Sequence, residues 1–351
     1  MSFSIGIIGL PNVGKSTLFK ALTKQPVDIS NYPFTTIEPN VGIVRVPDKR
    51  LLKIAAVVES TKITPTVIEF IDIAGLVKNA HQGEGLGNQF LARLRETDAI
   101  CHLVRAFEDE KIVHLEGKTN PQRDIEIVNT ELMLKDLETI EKRLEKVQKE
   151  AKSNNKETIQ ELDALNKTKK ILEQGKIPDE ALEAGTLTLL TAKPMVYVFN
   201  IDRFGAAPME QFSNQELLHW SCSKLNLKLN LQHEAELSEL TPEEQKELEL
   251  PASKLETLIQ ACYQALNLIT FYTVAGGNET RAWTLKMGLK APQAGGKVHT
   301  DFEKKFIRAE VINWQKLVEA GAWAKAREKG LLKTERKEYA VQDGDVIEFK
   351  I

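Results

Sequence analysis

Cysteine is scarce in this chain of 351 residues, which contains three, Cys101, Cys222 and Cys262. No two of them form a CxxC pair or lie at a metal-ligand spacing, which argues against a zinc site or a redox centre. So few cysteines, in an odd number, also exclude a small disulfide-stapled scaffold and fit a reducing compartment.

Long hydrophobic runs are missing as well. No apolar stretch approaches the roughly 18–20 residues of a membrane-spanning helix. The first predicted strand is not preceded by a basic and then an apolar segment, so we expect no signal peptide. With 42% hydrophobic and 28% charged residues, the composition excludes a disordered chain and a collagen. We therefore expect a cytoplasmic protein, and nothing in the sequence demands more than a monomer.

The chain also lacks an excess of charge of either sign, since 47 Lys and Arg oppose 50 Asp and Glu, for a net charge of −3. The two signs are unevenly spread. Residues 281–340 hold 14 basic and 7 acidic residues, a net charge of +7, and the rest holds 33 and 43, a net charge of −10. The basic region indicates a polyanionic partner, and the alternative is a solvated surface.

Four short apolar segments predict the buried strands of a parallel sheet, because turn or helical patterns separate them. They are residues 4–8, 66–71, 99–106 and 194–200. A Gly-rich turn at 9–16 follows the first of them, and a helix follows that turn. The sequence therefore predicts an α/β fold.

Two further regions have a different pattern. In residues 122–176 apolar residues recur at helical spacing around a polar break at 153–155, which predicts an inserted coiled-coil hairpin of two antiparallel helices. From about residue 267, short strands at 271–274, 282–285 and 346–349 around a helix near 301–308 predict a small α+β domain. The predicted division is therefore a sheet domain at 1–121 and 177–266, the hairpin at 122–176 and the small domain at 267–351.

The turn after the first strand indicates nucleotide binding. Residues 9–16, GLPNVGKS, match the phosphate-loop motif GxxxxGK[ST] between a strand and a helix. In such a loop the backbone N–H groups surround phosphate oxygens, and the N-terminus of the helix adds positive potential. Lys15, a candidate catalytic residue, would reach the β- and γ-phosphates, and Ser16 would bind Mg²⁺. The candidate nucleotide-binding residues here are Asn12, Val13, Gly14, Lys15, Ser16 and Thr17.

A second phosphate-site motif, DxxG, ends another predicted strand. Asp72 can hold Mg²⁺ through water, and the backbone N–H of Gly75 can meet the γ-phosphate. Between the two motifs, a threonine of the segment 31–40 could bind Mg²⁺ only while the γ-phosphate is present, which would make a switch. Spacing alone does not separate Thr35 from Thr36.

Four segments together resemble the Obg-like ATPase family, also called YchF. They are the phosphate loop, NYPFTTIEPN at 31–40, DIAGLVKNAHQGEGLGNQFL at 72–91, and RAWT with APQAGGKVHTDFEKKFIRAEV within 281–311. The resemblance covers nearly the whole chain. It implies a TRAFAC-class P-loop GTPase fold with an Obg-type G domain, a helical coiled-coil insertion and a small, β-grasp-like C-terminal TGS domain.

The resemblance also implies an activity. It implies Mg²⁺-dependent hydrolysis of ATP, preferred over GTP, to ADP and phosphate, in a nucleotide switch that associates with ribosomes. The family pattern makes the second threonine of the pair, Thr36, the switch residue. The candidate metal ligands are therefore Ser16, Thr36 and Asp72.

The base-recognition motif of GTPases, NKxD, is altered here to Asn200-Ile201-Asp202-Arg203. An arginine cannot accept hydrogen bonds from guanine, and the loss of that contact argues against strict GTP specificity. Ile201 could stack on any purine, so Asn200 and Ile201 complete the candidate nucleotide-binding set. Asp202 is the nearby carboxylate that a shift of one residue would bring to the base, which leaves a conventional GTPase as an alternative.

The catalytic group is less clearly marked, because Leu76 stands where many GTPases place a water-orienting glutamine. His102 lies inside a predicted strand and is expected to be a satisfied structural histidine. His114 lies in a predicted loop, from which it could swing toward the γ-phosphate, and the resemblance favours it as the catalytic residue. The alternatives are a surface histidine at 114 and slow hydrolysis, which would suit a nucleotide-sensing ribosome or RNA adaptor.

The basic region suggests where a partner would bind. Exposed Lys304, Lys305 and Arg308 on one predicted helix could meet phosphates, with Thr300 or Asp301 as its cap. We expect ribosome or ribosomal RNA binding through the basic TGS region and the coiled-coil arm.

Overall fold

Two six-stranded sheets organise the chain in its computed structural model. The structure describes residues 3–24, 27, 38, 40–73, 86–109, 112, 114, 117–150, 155–178, 187–202, 226–275 and 278–351. The strands formed by these residues are β1 Ser4–Ile8, β2 Val41–Arg45, β3 Lys62–Thr64, β4 Val67–Asp72, β5 Ala99–Arg105, β6 Met195–Asn200, β7 Asn226–Leu229, β8 Leu268–Ala275, β9 Glu279–Lys286, β10 Arg308–Asn313, β11 Lys333–Glu335 and β12 Asp345–Lys350. The helices are α1 Lys15–Thr23, α2 Lys49–Val57, α3 Leu86–Glu96, α4 Pro121–Glu150, α5 Lys156–Glu173, α6 Leu231–Leu237, α7 Pro242–Glu247, α8 Leu255–Ala265, α9 Ala291–Val298, α10 Thr300–Lys304, α11 Trp314–Ala320 and α12 Trp323–Glu328.

The first sheet has the order β2-β4-β1-β5-β6-β7, in which β2 runs antiparallel to β4 and the other neighbours run parallel. Every residue of β1, β5 and β6 is buried. Such uninterrupted burial is expected of a parallel sheet covered by helices on both faces. The α/β fold and the four strands expected from the apolar segments are confirmed, and the carboxyl ends of β1, β4, β5 and β6 lie at one edge.

The helical insertion consists of α4 and α5. Arg143 bonds to Glu161 and Lys169 bonds to Glu141, so the two helices run antiparallel. Asn155 caps α5 through its side-chain oxygen, at the polar break that the sequence predicted. The first turns of α4 belong to the core of the first sheet, whereas Ile140 and Leu144 further along form a separate core with α5. The insertion is therefore rooted in the sheet domain and extends from it.

The second sheet has the order β11-β10-β12-β8-β9-β3 and includes a strand from the first half of the chain. Residues Lys62, Ile63 and Thr64 of β3 pair in parallel with Glu279–Arg281 of β9. The preceding helix α2 adds Leu51 and Ile54 to a core shared with residues from β8, β12 and α11. The segment that contains α2 and β3 thus precedes the predicted boundary at residue 267 in the sequence, but it packs with the sheet that follows this boundary.

The helix predicted near 301–308 is shorter in the structure. It ends at Lys304, and Arg308 begins β10, so the three basic residues do not share one helix. Ala309, Val311 and Ile312 of this strand are buried, and the strand pairs with β11 and β12 on its two sides. The cap is neither Thr300 nor Asp301, because Nδ1 of His299 accepts the backbone N–H of Asp301 at 3.1 Å.

Within the described residues, the helices that are long enough to cross a membrane are too rich in charge to do so.

Candidate nucleotide-binding site

The loop between β1 and α1 has the backbone conformation that the motif requires. Gly9 has φ 151° and Gly14 has φ 103°, and a Cβ at Gly9 would lie 2.3 Å from the carbonyl oxygen of Leu103. Asn12 also has a positive φ of 63°. Gly14 is the N-cap of α1 and offers no side-chain oxygen to the first N–H groups of the helix. Those N–H groups therefore point toward the space where phosphate would bind.

Lys15 folds back over this loop. Its Nζ donates to the carbonyl oxygens of Gly9 at 3.0 Å and Leu10 at 2.8 Å. Burial lowers the pKa of Lys15 to about 8, against the opposing effect of the Asp72 carboxylate. The ammonium is thus held in place by neutral carbonyls, and phosphate oxygens would be stronger acceptors for it.

Ser16 and Asp72 converge at the same edge of the sheet. Ser16 Oγ donates to Asp72 Oδ2 at 3.1 Å, which joins the start of α1 to the end of β4. A hydroxyl and a carboxylate oxygen suit Mg²⁺, which takes few protein ligands and completes its shell with water and phosphate oxygens. The described residues contain no group of three or more His, Cys, Asp or Glu side chains that could hold a metal ion. Thr36 and Gly75 lie outside the described residues.

A cavity of about 630 Å³ adjoins the loop. One wall comes from the loop and α1, through Asn12, Gly14 and Thr17. Two further walls come from the segment after β5 and from the ends of β6 and β7. They contain Phe107, Glu108, Asp109, Ile112, Asn200, Ile201, Asp202, Asn230, Leu231, Gln232, Ala235, Glu236 and Glu239. The fold therefore brings the altered base motif beside the phosphate loop.

Asn200 ties these walls together. Its Nδ2 donates to the carbonyl oxygen of Val13 at 3.0 Å, and its Oδ1 accepts the backbone N–H of Leu231 at 3.2 Å. Asn200 is buried and Val13 is 1% exposed. The hydrogen bond between them therefore fixes the backbone of the phosphate loop. Ile201 and Asp202, both half-buried, line the cavity itself, whereas Arg203 lies outside the described residues.

The cavity is acidic away from the loop. Five carboxylates line it, from Glu108, Asp109, Asp202, Glu236 and Glu239, and Glu239 also pairs with Lys24 at 3.5 Å. A triphosphate would be repelled from this part and attracted to Lys15 and the loop N–H groups. The charge distribution therefore favours a phosphate site at the loop over one in the acidic part of the cavity.

The two candidate histidines are both buried. His102 in β5 packs against Tyr197 with ring centroids 5.2 Å apart, and its Nδ1 has no hydrogen-bond partner among the described residues. Burial, and then the charge of Lys15, lower the pKa of His102 to about 3, so it stays neutral. The expectation of a satisfied histidine is therefore wrong for Nδ1, although the ring is buried inside the strand.

His114 is not at the surface, since its side chain is 4% exposed. Its Nε2 lies 2.9 Å from Oδ2 of Asp124 in α4. The catalytic role of His114 stays a prediction.

Three residues that line the cavity, Asn230, Leu231 and Gln232, belong to none of the motifs in the sequence. Asn230 caps α6 by accepting the backbone N–H of His233 at 2.9 Å. The signal available in the sequence was a short strand followed by an Asn-capped helix, after the base motif. Parallel strands end at the same edge, so a further strand there would have predicted a contribution to this cavity.

Comparisons with known proteins identify the family of this chain. A family model described as "50S ribosome-binding GTPase" matches residues 4–167, and the model of a YchF GTPase C-terminal family, described as "Protein of unknown function", matches residues 268–351. The protein named ribosome-binding ATPase YchF is 46% identical in Bacillus subtilis, over 100% of this chain and 99% of the relative. Its namesake in Escherichia coli is 44% identical over 99% of both.

A solved structure matches the fold over nearly the whole chain. The Schizosaccharomyces pombe YchF GTPase matches with a TM-score of 0.83 and 34% sequence identity, over 99% of this chain and 98% of that one. Both the resemblance of the motifs and the expected fold are thus confirmed, and the chain belongs to the YchF family.

Proposed function

We propose that this protein is a Mg²⁺-dependent nucleoside triphosphatase that hydrolyses ATP, in preference to GTP, to ADP and phosphate. The observation that carries the proposal is the meeting of Ser16 and Asp72, 3.1 Å apart, beside Lys15 in the loop whose residues Asn12 and Gly14 line the 630 Å³ cavity. The hydroxyl of Ser16, the carboxylate of Asp72 and the buried ammonium of Lys15 meet at the N-terminus of α1. A site that binds an uncharged ligand would not need these three groups together. The names of the relatives, which include ATPase, support the same activity.

Each residue of the loop has a distinct role in this proposal. Lys15 binds the β- and γ-phosphates and stabilises the charge that develops on them during transfer. Ser16, Thr36 and Asp72 hold Mg²⁺, which supplies neutralisation of the phosphate charge when bound. The backbone N–H of Gly75 meets the γ-phosphate, and His114, held by Asp124, orients the attacking water.

The preference for ATP rests on the cavity wall opposite the loop. Ile201 offers an apolar face to either purine, and Asn230 and Gln232 carry amides that can both donate and accept hydrogen bonds. Neither amide supplies the pair of acceptors that a carboxylate presents to guanine. Because Asp202 also lines the cavity, the conventional GTPase remains the second candidate.

Binding of ATP and GTP, measured side by side with Mg²⁺, tests the choice of base. We expect ATP to bind more tightly. A GTP affinity greater by a hundredfold, about 2.7 kcal/mol, would overturn the ATP preference and favour the GTPase.

Turnover of ATP by the full chain and by Lys15→Ala tests the activity. We expect the variant to lose turnover by at least about a hundredfold. Turnover that persists in the variant would show that another site is responsible. If the unaltered protein binds ATP tightly but does not turn it over, it is a nucleotide-sensing adaptor.

We also propose that the protein is cytoplasmic and monomeric and binds the ribosome or ribosomal RNA. Lys304, Lys305 and Arg308 are exposed within the region of net charge +7, and the α4–α5 arm would supply a second contact. The relatives named ribosome-binding support this partner. Co-sedimentation with ribosomes at graded salt is the test. We expect binding that weakens steeply with salt, and no binding at low salt would refute the proposal.

A further inference from the structure

Arg105, the last residue of β5, is a buried cation next to the cavity. It is 2% exposed and is among the largest of the fully buried side chains. It lies opposite Asn200 in the register of β5 and β6, yet it does not belong to the residues that line the cavity. A buried cation needs compensating partners, so the groups that surround it indicate its role.

Three backbone carbonyls surround the guanidinium. Nε donates to the oxygen of Phe107 at 3.1 Å, Nη1 to that of Ile112 at 2.9 Å and Nη2 to that of Asp109 at 3.1 Å. The guanidinium carbon also lies 4.5 Å from the centroid of the Phe107 ring. All three acceptors belong to the segment that follows β5, so one side chain determines the path of that segment.

The residues held in this way form one wall of the cavity. Phe107, Asp109 and Ile112 line it, and Ile201 and Leu231 line it from the other side. The same segment leads to His114, which Asp124 holds, while Thr119 Oγ1 donates to the Phe107 carbonyl at 3.2 Å. The wall is therefore anchored from behind by three hydrogen bonds from Arg105 and one from Thr119.

We propose that Arg105 is a positioning residue for the nucleotide base. It holds the wall formed by Phe107, Asp109 and Ile112 at a fixed distance from the opposite wall, which contains Ile201 and Leu231. This role rests on the proposed function, since it requires that the base of the nucleotide occupies the cavity. A lysine would keep the charge. Its single nitrogen, however, cannot bond to all three carbonyls, which accept from three different nitrogens of the planar guanidinium. Phosphate binding at the loop is independent of this wall.

Calorimetric binding of Mg²⁺–ATP and of Mg²⁺–tripolyphosphate to the full chain tests the role, because tripolyphosphate lacks a base. We expect Arg105→Lys to weaken ATP binding about tenfold and to leave tripolyphosphate binding within about twofold. Thr119→Val loosens the same wall more mildly, and we expect an ATP-selective loss of about threefold. Equal losses for both ligands, or no loss in either variant, would overturn the proposal.

Lys193 provides a matched control. It is also a buried cation bound to backbone carbonyls, those of Arg95 and Thr97, but it does not line the cavity. We expect Lys193→Met to lower the unfolding temperature while it preserves the ratio of ATP to tripolyphosphate affinity. If the unaltered protein binds neither ligand, the proposed function fails together with this role. If it prefers ATP and Arg105→Lys leaves that preference unchanged, only the role of Arg105 fails.

Discussion

At the scale of single residues, the protonation of Lys15 connects the electrostatics of the phosphate loop to a measurable pH dependence. Its ammonium is bound to two carbonyls, and burial lowers its pKa to about 8. Phosphate binding favours the charged form and raises this pKa again. Below about pH 8 the cation is already present, and above it each binding event must take up a proton.

We therefore expect the affinity for Mg²⁺–ATP to be nearly constant below about pH 8 and to fall by up to about tenfold per pH unit above it. Calorimetry in buffers of different ionisation enthalpy measures the proton uptake directly. Lys15→Arg, which stays charged throughout, should bind with a flat profile. A flat profile in the unaltered protein between pH 7 and about 9.5 would contradict the assignment.

Asp202 is the residue whose substitution separates the proposed ATP preference from the alternative of a conventional GTPase. It lines the cavity one residue after Ile201, where a carboxylate could accept the two N–H groups of guanine. Under the proposed ATP preference, Asp202→Asn should change the affinity for ATP by less than about twofold and leave GTP weak. Nucleotide competition against a fluorescent ATP analogue provides the measurement. A loss of tenfold or more that is confined to GTP would identify Asp202 as a guanine-reading residue.

At the scale of secondary structure, the α4–α5 arm depends on its own apolar seam. Leu165 is fully buried there against residues of α4, whereas Ile159 on the same helix is 46% exposed. We expect Leu165→Ala to destabilise the arm by about 2–5 kcal/mol and to speed hydrogen exchange in α5. Ile159→Ala, the matched control, should change stability by less than about 0.5 kcal/mol.

ATP binding should be the same in both arm variants, because the described residues of the seam do not line the cavity. A loss of ATP affinity with Leu165→Ala but not with Ile159→Ala would show instead that the arm and the site are coupled.

The sequence predicted those parts of the site that are formed by residues close to one another along the chain. The phosphate loop is one continuous segment, and Asp72 and Asn200 end strands whose apolar character is plain. The hairpin followed from helical periodicity over more than 50 residues.

Other features left little trace in the sequence because they depend on tertiary contacts. Arg105 binds backbone carbonyls, which every residue possesses. His114 has an acidic partner in a helix that begins after it. The three residues of β3 are too few to show a strand pattern, and their partner lies in the other half of the chain.

At the scale of the whole molecule, α2 and β3 join the two parts of the fold, which are the half that carries the first sheet and the C-terminal half at residues 267–351. Arg50 at the start of α2 bonds to Asp48 and Asp343, and Tyr272 from β8 donates to Asp48. Burial and the adjacent Asp48 carboxylate raise the pKa of Tyr272 far above its ordinary value, so its hydroxyl remains a donor. A charged network and an apolar core thus hold the same helix against the C-terminal sheet.

Ile54→Ala should therefore destabilise the C-terminal half, although residue 54 precedes that half by more than 200 positions. Ile54 is fully buried in the shared core, and its truncation should cost about 2–5 kcal/mol. Three of the four tryptophans, Trp283, Trp314 and Trp323, lie in the C-terminal half, so tryptophan emission reports its unfolding.

Leu52 is the matched control on the same helix, because it is 60% exposed. Leu52→Ala should unfold like the unaltered protein. Tryptophan unfolding that is the same for Ile54→Ala and Leu52→Ala would show that the two halves unfold independently.

The pairing of β3 with β9 also sets an order of events during synthesis. Thr64 bonds to Glu279, a partner 215 residues later in the chain. At about 5–20 residues per second, the partner is made roughly 10–40 s after β3 itself. Throughout that interval the apolar face of α2, with Leu51 and Ile54, has no sheet to cover it. The order of synthesis thus leaves this apolar face of α2 without its native partners until residues 267–351 emerge.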